Sequence, residues 1–320
     1  MVKYVISQIE QELERKEISK FYLARMLNLT VACINECFRG TRKFHFRDFL
    51  RIVHLLFDDK RQQHRLIAEY CLSSENKEDV REAMEWASNN GFYELLFRLI
   101  DIYPSNFSDL YSLLLKRNQG QLSPIQFYNE LEMIKFKMGK EIEIPETQVL
   151  IKILSMYSFL DLHSYSLILP IADHALNLSK QIMNYYIRES YMMRIKEIMA
   201  IHYMKQLQLE NAVRIAREII NISNFDNFPL SVNFMLCLLA EMYVYSDYHK
   251  SIYYIEKAIE HFNRLELSEN FMNRKHMLLA VHDFIKITNG VYQNLYLLGE
   301  TEQAYYLSVQ PDKESKERAL

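Results

Sequence analysis

The amino-acid sequence predicts an all-α protein, in which a short helix-turn-helix domain is followed by a helical repeat array. Three observations lead to this fold class. The 320 residues include only six Gly and six Pro, well below the average usage of about 7% and 5%. Apolar residues make up 49% of the chain, which is enough for a substantial core. Successive amphipathic stretches, separated by short polar turns, run along most of its length.

Charge divides the chain into two parts with different expected partners. The first 70 residues contain 13 Lys and Arg against 9 Asp and Glu, whereas the remaining 250 contain 25 against 32. A basic segment suits a polyanion, and an acidic segment does not. We therefore predict a DNA-binding domain over residues 1–65 and a second, repeat-containing domain over residues 66–320.

The basic segment begins with a predicted helix over Tyr4–Lys16, in which Val5, Ile9 and Leu13 recur every four residues on one face. A second helix is predicted over KFYLARML, residues 20–27. Its apolar set is Phe21, Leu23, Ala24 and Leu27.

Capping residues bound the second helix and a third helix, VACINECFR, at residues 31–39. Ser19 and Thr30 stand at the two N-cap positions, and Gly40 follows the third helix. Asn28 stands at the turn between them, where it tolerates the left-handed backbone that usually takes Gly. Two short helices joined by about three residues are typical of a helix-turn-helix.

The third helix has an outer face that suits the major groove of DNA, because Leu29, Ile34 and Phe38 are expected to point inward. On the outer face an Asn can read adenine, an Arg guanine or phosphate, and an Ala a thymine methyl group. Basic residues follow directly, opposed only by an Asp at position 48: Arg39, Arg42, Lys43, Arg47 and Arg51. The predicted DNA-binding residues are Val31, Ala32, Asn35, Arg39, Thr41, Arg42, Lys43 and Arg47.

The stretch LARMLNLTVACINECFRGTRKF resembles the two core helices and following loop of Xre/Cro-type DNA-binding domains. Asn28 replaces the usual Gly. The alternative for this segment is a small helical cap whose basic stretch is only a solvated face.

Five helical hairpins are predicted after the DNA-binding domain at residues 1–65, which we call the head. The last two hairpins resemble each other. They lie at residues 78–101, 108–134, 147–178, 185–222 and 229–262. Ala212 and Ser251 hold equivalent positions, 39 residues apart. This offset is close to the 34 residues of a tetratricopeptide repeat and to the longer HEAT repeat. The sequence therefore predicts a right-handed tetratricopeptide-like helical solenoid.

Several other classes of protein fit the sequence poorly. The longest apolar stretch, residues 149–172, is interrupted by Lys152, Asp161 and His163, which favours a buried helix pair over a membrane span. The four Cys have no metal-binding spacing, and we expect reduced thiols in a cytoplasm. No Gly-rich nucleotide loop and no HExxH motif are present. We therefore expect no metal, no cofactor and no enzymatic activity.

Several stretches resemble the AimR-like arbitrium receptors, which are peptide-responsive lysis–lysogeny regulators of phages. The stretches are AEYCLSSENKEDVREAMEWASNNGFYELLFRLID, YIRESYMMRIKEIM and VRIAREII, with a weaker similarity in LYLLGETEQAYYL. The resemblance implies a cytoplasmic homodimer whose heads bind promoter DNA. It also implies that a short signal peptide binds in a concave groove of the domain at residues 66–320 and changes the spacing or mobility of the heads.

A peptide in such a groove needs amide side chains for its backbone and a charged group for its terminus. The candidate peptide-binding residues are Asn184, Arg188, Glu189, Arg214, Asn221 and Asn233. Each is equally compatible with an ordinary solvated or interhelical polar residue. For the whole chain, the alternative function is a helical-repeat scaffold that acts by protein–protein interaction and does not bind DNA.

Overall fold

The computed structural model of the chain describes residues 2–73, 77–222, 228–243 and 247–264. Within these ranges the chain forms fifteen α-helices and two short 3-10 helices, without any β-strand. The predicted all-α fold class is therefore confirmed. The chain divides into two compact units, one of Met1–Ser88 with Phe92–Ser112 and one of Asn89–Gly91 with the residues from Leu113 onward. The division into a DNA-binding domain at residues 1–65 and a repeat-containing domain at residues 66–320 stays a prediction.

The first unit begins with the helices of the head. In it α1 packs against α4 and α5, and α2 packs against α3 and α4. Its helices are α1 (Val2–Arg15), α2 (Lys20–Leu27), α3 (Val31–Arg39), α4 (Phe46–Leu56), α5 (Lys60–Leu72), α6 (Lys77–Asn90), α7 (Tyr93–Ile102) and α8 (Asn106–Asn118). The unit boundaries fall inside α6, whose last two residues belong to the second unit, and inside α8.

The N-caps predicted from the sequence form at the starts of α2 and α3. Ser19 Oγ accepts a hydrogen bond from the Tyr22 amide at 3.1 Å, and Thr30 Oγ1 accepts one from the Cys33 amide at 3.1 Å. Asn28 is left-handed, with φ 56°, and so is Gly40, with φ 77°. The predicted bounds of α2 and α3 are therefore confirmed, because local capping chemistry determines them.

Two details of the head differ from the sequence-based expectation. Phe21, which we placed in the apolar set of α2, is 68% exposed. Only one face of this eight-residue helix packs on the core, and it is filled by Leu23, Ala24 and Leu27. On α3, Ile34 is buried as predicted, but its buried neighbours are Cys33 and Cys37, whereas Leu29 and Phe38 are only half-buried.

The second unit contains α9 (Pro124–Lys137), α10 (Pro145–Asp161), α11 (Ile168–Ser179), α12 (Tyr185–Lys205), α13 (Leu209–Ile222), α14 (Pro229–Tyr243) and α15 (Tyr248–Arg264). From α10 onward each helix packs against the next, and α12 also packs against both α10 and α14. We refer to α10, α12 and α14 as the stacked row. Such packing between alternate helices is typical of repeat arrays.

The repeat relationship read from the sequence is visible in the last two helical pairs. Ala212 and Ser251 are each the fourth residue of their helix, α13 and α15, and both are fully buried. Ser251 Oγ donates a hydrogen bond to the Ala240 carbonyl oxygen at 2.7 Å, so a small residue is needed there. The weaker similarity in LYLLGETEQAYYL, near the end of the sequence, lies outside the described residues.

The apolar stretch at residues 149–172 forms two separate helices. α10 ends at Asp161, a short 3-10 helix covers Tyr165–Leu167, and α11 begins at Ile168. Among the described residues, no helix combines the length and the apolar character that crossing a membrane requires.

We predict that the left-handed backbone at Asn28 makes Gly the best-tolerated substitution at this position. Asn28→Ala is expected to lower the free energy of unfolding by about 1 kcal/mol, because a Cβ without a compensating local hydrogen bond is strained at positive φ. Asn28→Gly serves as the matched control and is expected to be neutral within about 0.5 kcal/mol. Urea denaturation followed by circular dichroism measures both, and equal effects of the two substitutions would contradict the prediction.

Candidate functional site

The outer face of α3 presents the residues predicted to read base edges. Val31 is 37% exposed, Ala32 and Arg39 are exposed, and Asn35 is half-buried. They recur at the spacing of a single helix face, opposite the buried Ile34. The face therefore combines an amide, a guanidinium and two small apolar groups, which are the groups that proteins use on base edges in the major groove.

The inner face of α3 is held by apolar and aromatic contacts. Phe38 packs edge-on against Phe44, with ring centroids 5.8 Å apart, and Lys20 Nζ lies 4.3 Å from the Phe38 ring centroid. Burial raises the pKa of Cys37 to about 12. This thiol is therefore protonated at neutral pH, and it acts as a small apolar side chain.

Exposed polar residues continue from α3 into the following loop. Thr41 Oγ1 donates a hydrogen bond to the Glu36 carbonyl oxygen at 3.0 Å, which extends the C-cap of the helix. Arg42 is exposed. The structure thus brings Arg39 and Arg42 to the end of α3, where cations can meet phosphates.

Two further residues from the predicted DNA-binding set bind within the protein. Lys43 Nζ donates a hydrogen bond to the Ser73 carbonyl oxygen at 3.0 Å, just after α5. Arg47, on α4, lies with its Nε 3.7 Å from Oε1 of Glu82, a residue of α6 whose side chain is only 7% exposed. These contacts hold the loop and α4 to the helices that follow them.

Aromatic contacts support the same connection. Phe49 stacks on Tyr70 with ring centroids 3.8 Å apart, and Phe46 meets Trp86 edge-on at 5.9 Å. The Tyr70 hydroxyl also donates a hydrogen bond to the Phe44 carbonyl oxygen. The end of the loop after α3 and the start of α4 are therefore attached to α5 and α6.

Three candidate peptide-binding residues lie at the start of α12, in the stacked row. Asn184 is the N-cap of α12, and its Oδ1 accepts a hydrogen bond from the Ile187 amide at 3.1 Å. Arg188 Nε and Glu189 Oε1 are 3.6 Å apart, and the side chains are 31% and 28% exposed. These two charged groups are accessible and lie one turn after the start of α12.

The other three candidates lie on two different helices. Arg214 and Asn221 are exposed on α13, outside the stacked row, and Arg214 Nη1 lies 4.0 Å from Glu218 Oε2. Asn233 lies on α14 in the stacked row and is only 2% exposed. Within the described part of the chain, neither its Oδ1 nor its Nδ2 forms a hydrogen bond. Burying an amide in this state is costly.

Sequence reasoning missed a buried polar cluster in the second unit. Arg194 Nη2 donates to Asn89 Oδ1 at 2.9 Å, and Asn89 Nδ2 donates to Ser190 Oγ at 2.6 Å and to the Tyr186 hydroxyl at 3.3 Å. The four residues are at most 7% exposed. Asn89 is about one hundred positions away from the other three in the chain, so local sequence patterns do not show that it meets them.

Among the described residues, no cluster of three or more His, Cys, Asp or Glu side chains is placed to hold a metal ion.

Comparison with known proteins supports the family resemblance that the sequence suggested. The family described as AimR transcriptional regulator-like matches residues 63–319. The chain belongs to this family. The predicted family resemblance is confirmed. The matched residues begin at the end of the head, so the family match says nothing about most of the head.

The AimR-like assignment is accompanied by two curated relatives. An uncharacterized protein of Bacillus anthracis is 32% identical over 176 residues, which cover 54% of this chain and 63% of that protein. The AimR transcriptional regulator of Bacillus phage SPbeta is 26% identical over 213 residues, or 63% of this chain and 52% of the relative. The aligned segments thus span less than two thirds of either relative.

A solved structure, that of selenomethionine-labelled phAimR, shares the fold of this AimR-like chain. It superposes with a TM-score of 0.59 at 18% identity and covers 98% of this chain and 82% of that one. At this identity the similarity supports the fold alone.

We predict that Arg47 and Arg42 act differently when they are replaced by Ala. Arg47→Ala is expected to lower the free energy of unfolding by about 1–3 kcal/mol, because it leaves the buried Glu82 carboxylate without its cation. Arg42→Ala is the matched control and is expected to change stability by less than about 0.5 kcal/mol. Urea denaturation of the two variants measures the difference.

Glu82→Gln provides the second arm of this test. Combined with Arg47→Ala, it is expected to recover part of the lost stability, because the buried charge is removed. Equal stability of the Arg47→Ala and Arg42→Ala variants would show that the contact between Arg47 and Glu82 does not hold α4 to α6.

Proposed function

We propose that this AimR-like protein is a DNA-binding transcriptional regulator controlled by a short signalling peptide, acting as an arbitrium receptor in phage lysis–lysogeny control. The observation that carries the DNA-binding part is the exposed face of α3, on a helix capped at both ends. The proposal further includes a cytoplasmic homodimer whose two heads bind promoter DNA.

In this proposal α3 lies in the major groove and its outer face reads bases. Asn35 pairs with an adenine edge, Arg39 with guanine or a phosphate, and Val31 and Ala32 contact thymine methyl groups. Thr41 and Arg42 lie next to the phosphates that flank the groove.

Lys43 and Arg47 take a different role from the one their charge suggests. Each has a contact within the protein, Lys43 with the Ser73 carbonyl oxygen and Arg47 with Glu82, although Lys43 stays exposed. They are positioning residues, which hold the loop and α4 so that α3 keeps its orientation.

The peptide-control part of the proposal rests on Asn233 and the stacked row. An Asn side chain has the donor and acceptor geometry of a peptide bond, and so it can pair with the backbone of an extended peptide. Within the described residues the Asn233 amide forms no hydrogen bond, and a peptide that reached it would supply this pairing. Arg188 and Glu189 supply charged groups for the termini or side chains of the peptide.

If the peptide is to control DNA binding, it must bind more tightly to one arrangement of the two heads in the dimer than to another. A coupling free energy of about 1–3 kcal/mol gives a 5- to 150-fold change in DNA affinity. α6 contributes Glu82 to the first unit and Asn89 to the second.

We predict that DNA binding is electrostatic and depends on Arg39 and Arg42. Fluorescence anisotropy with a labelled duplex from the region upstream of the gene should show that log K falls linearly with log salt. Replacing both residues by Ala is expected to weaken binding and to reduce the salt slope by about 2.

Arg98→Ala provides the control, because Arg98 is exposed on α7 and belongs neither to α3 nor to the loop after it. It should leave the slope unchanged. Negligible DNA affinity, or affinity that survives the double substitution, would contradict the DNA-binding function and favour the protein–protein scaffold.

We predict that Asn233→Leu separates stability from peptide binding. Without peptide, the variant is expected to be about 1 kcal/mol more stable, because an unsatisfied buried amide is removed. With a peptide encoded beside the gene, the wild-type melting temperature should rise, because the peptide binds the native state. The variant should lose most of this rise.

Asn177→Leu is the matched control, since Asn177 is exposed on α11. It should keep the full peptide response. If no such peptide raises the melting temperature of the wild-type protein, the receptor function is wrong.

A further inference from the structure

An open cleft of about 570 Å³ lies in the second unit over one face of α10. α9 and α11 contribute its sides, and the 3-10 helix Gly139–Glu143 contributes one end. This volume falls within the range of about 300–1,000 Å³ that is usual for small-molecule sites. None of the candidate peptide-binding residues lines it.

The walls of the cleft are largely apolar and aromatic. The cleft face of α10 carries Gln148, Ile151, Lys152, Ser155 and Phe159, which recur at the spacing of a single helix face. Opposite them, Tyr128 lies on α9 and Ile171 on α11, with Ile142 on the 3-10 helix. An aromatic or aliphatic ligand body would find complementary surface on three sides.

Two of the four charged side chains that line this cleft have no ion pair among the described residues. Glu132 and Lys135 pair with each other at 2.6 Å, whereas the exposed Glu143 and the half-buried Lys152 do not form one. Lys152 also has no hydrogen bond within the described residues. Burial lowers the pKa of Lys152, and the nearby Lys135 lowers it further. The cleft therefore holds a partly desolvated cation that an anion would stabilise.

We propose that this cleft binds a small amphipathic anion, with its carboxylate, sulfonate or phosphate group on Lys152 and its apolar body between Tyr128, Phe159 and Ile171. The charge-assisted hydrogen bond fixes the orientation of the ligand, and the apolar walls supply contact area. This site is separate from the proposed DNA and peptide functions and does not depend on them.

A pair of fluorescent probes tests the charge requirement. 8-Anilinonaphthalene-1-sulfonate carries an aromatic body with an anionic group, and N-phenyl-1-naphthylamine has the same rings without the charge. Titration of the full chain should show the sulfonate binding at one site, and Lys152→Met should weaken that binding about tenfold or more. Binding of the neutral probe should be unchanged by this substitution.

Two matched variants complete the experiment. Lys152→Arg keeps the cation and should retain sulfonate binding, and Lys137→Met removes an exposed lysine of α9 that does not line the cleft and should have no effect. Without probe, Lys152→Met should melt at a higher temperature than the wild type, because an unpaired, partly buried charge is removed.

Two results would overturn the proposal. One is sulfonate binding that Lys152→Met leaves unchanged. The other is an equal loss of both probes, which would show that the substitution altered only the apolar surface.

Discussion

The fold of the first unit depends on how the buried helix α6 satisfies its polar side chains. From Glu82 to Asn90 every residue of this helix is buried, although several are acids or amides. Buried polar groups need partners, since each one left without them costs about 1–3 kcal/mol. Glu82 meets Arg47 of α4, and Glu85 accepts a hydrogen bond from the Tyr111 hydroxyl of α8 at 2.7 Å. These requirements fix the helices on which the loop after α3 is supported.

This constraint separates the basic residues of the head by role. Arg39, Arg42 and Lys43 are exposed, but Lys43 Nζ also donates a hydrogen bond to the Ser73 carbonyl oxygen just after α5, and the half-buried Arg47 lies beside Glu82 of α6. A charge count along the sequence treats all of them alike. For Arg47 the difference arises because its charge compensates the buried Glu82 carboxylate. This contact stabilises the fold more than an ion pair in solvent would. The cations of the basic stretch therefore differ in their contacts within the protein, which the sequence alone does not show.

Features fixed by neighbours in the sequence could be predicted, and features fixed by distant contacts could not. Ser19, Asn28, Thr30 and Gly40 act within four residues of themselves, so the bounds of α2 and α3 follow from the sequence alone. The five helical hairpins follow from the period of apolar residues. In contrast, the exposure of Phe21 and the pairing of Asn89 with Arg194 depend on which faces meet after folding. Of the candidate peptide residues, sequence alone could not separate the buried Asn233 from the exposed Asn221.

Asn89 and Asn233 show why a degenerate repeat array keeps buried amides. Apolar stripes on repeated helices are similar to one another, and so they define the register of stacking weakly. A buried amide that must meet a specific partner penalises every other register. Asn89 has such partners in Arg194, Ser190 and Tyr186, and these attach the last turn of α6 to α12. Among the described residues Asn233 has no comparable partner, and α14 packs there through its apolar residues Val232, Leu236 and Ala240.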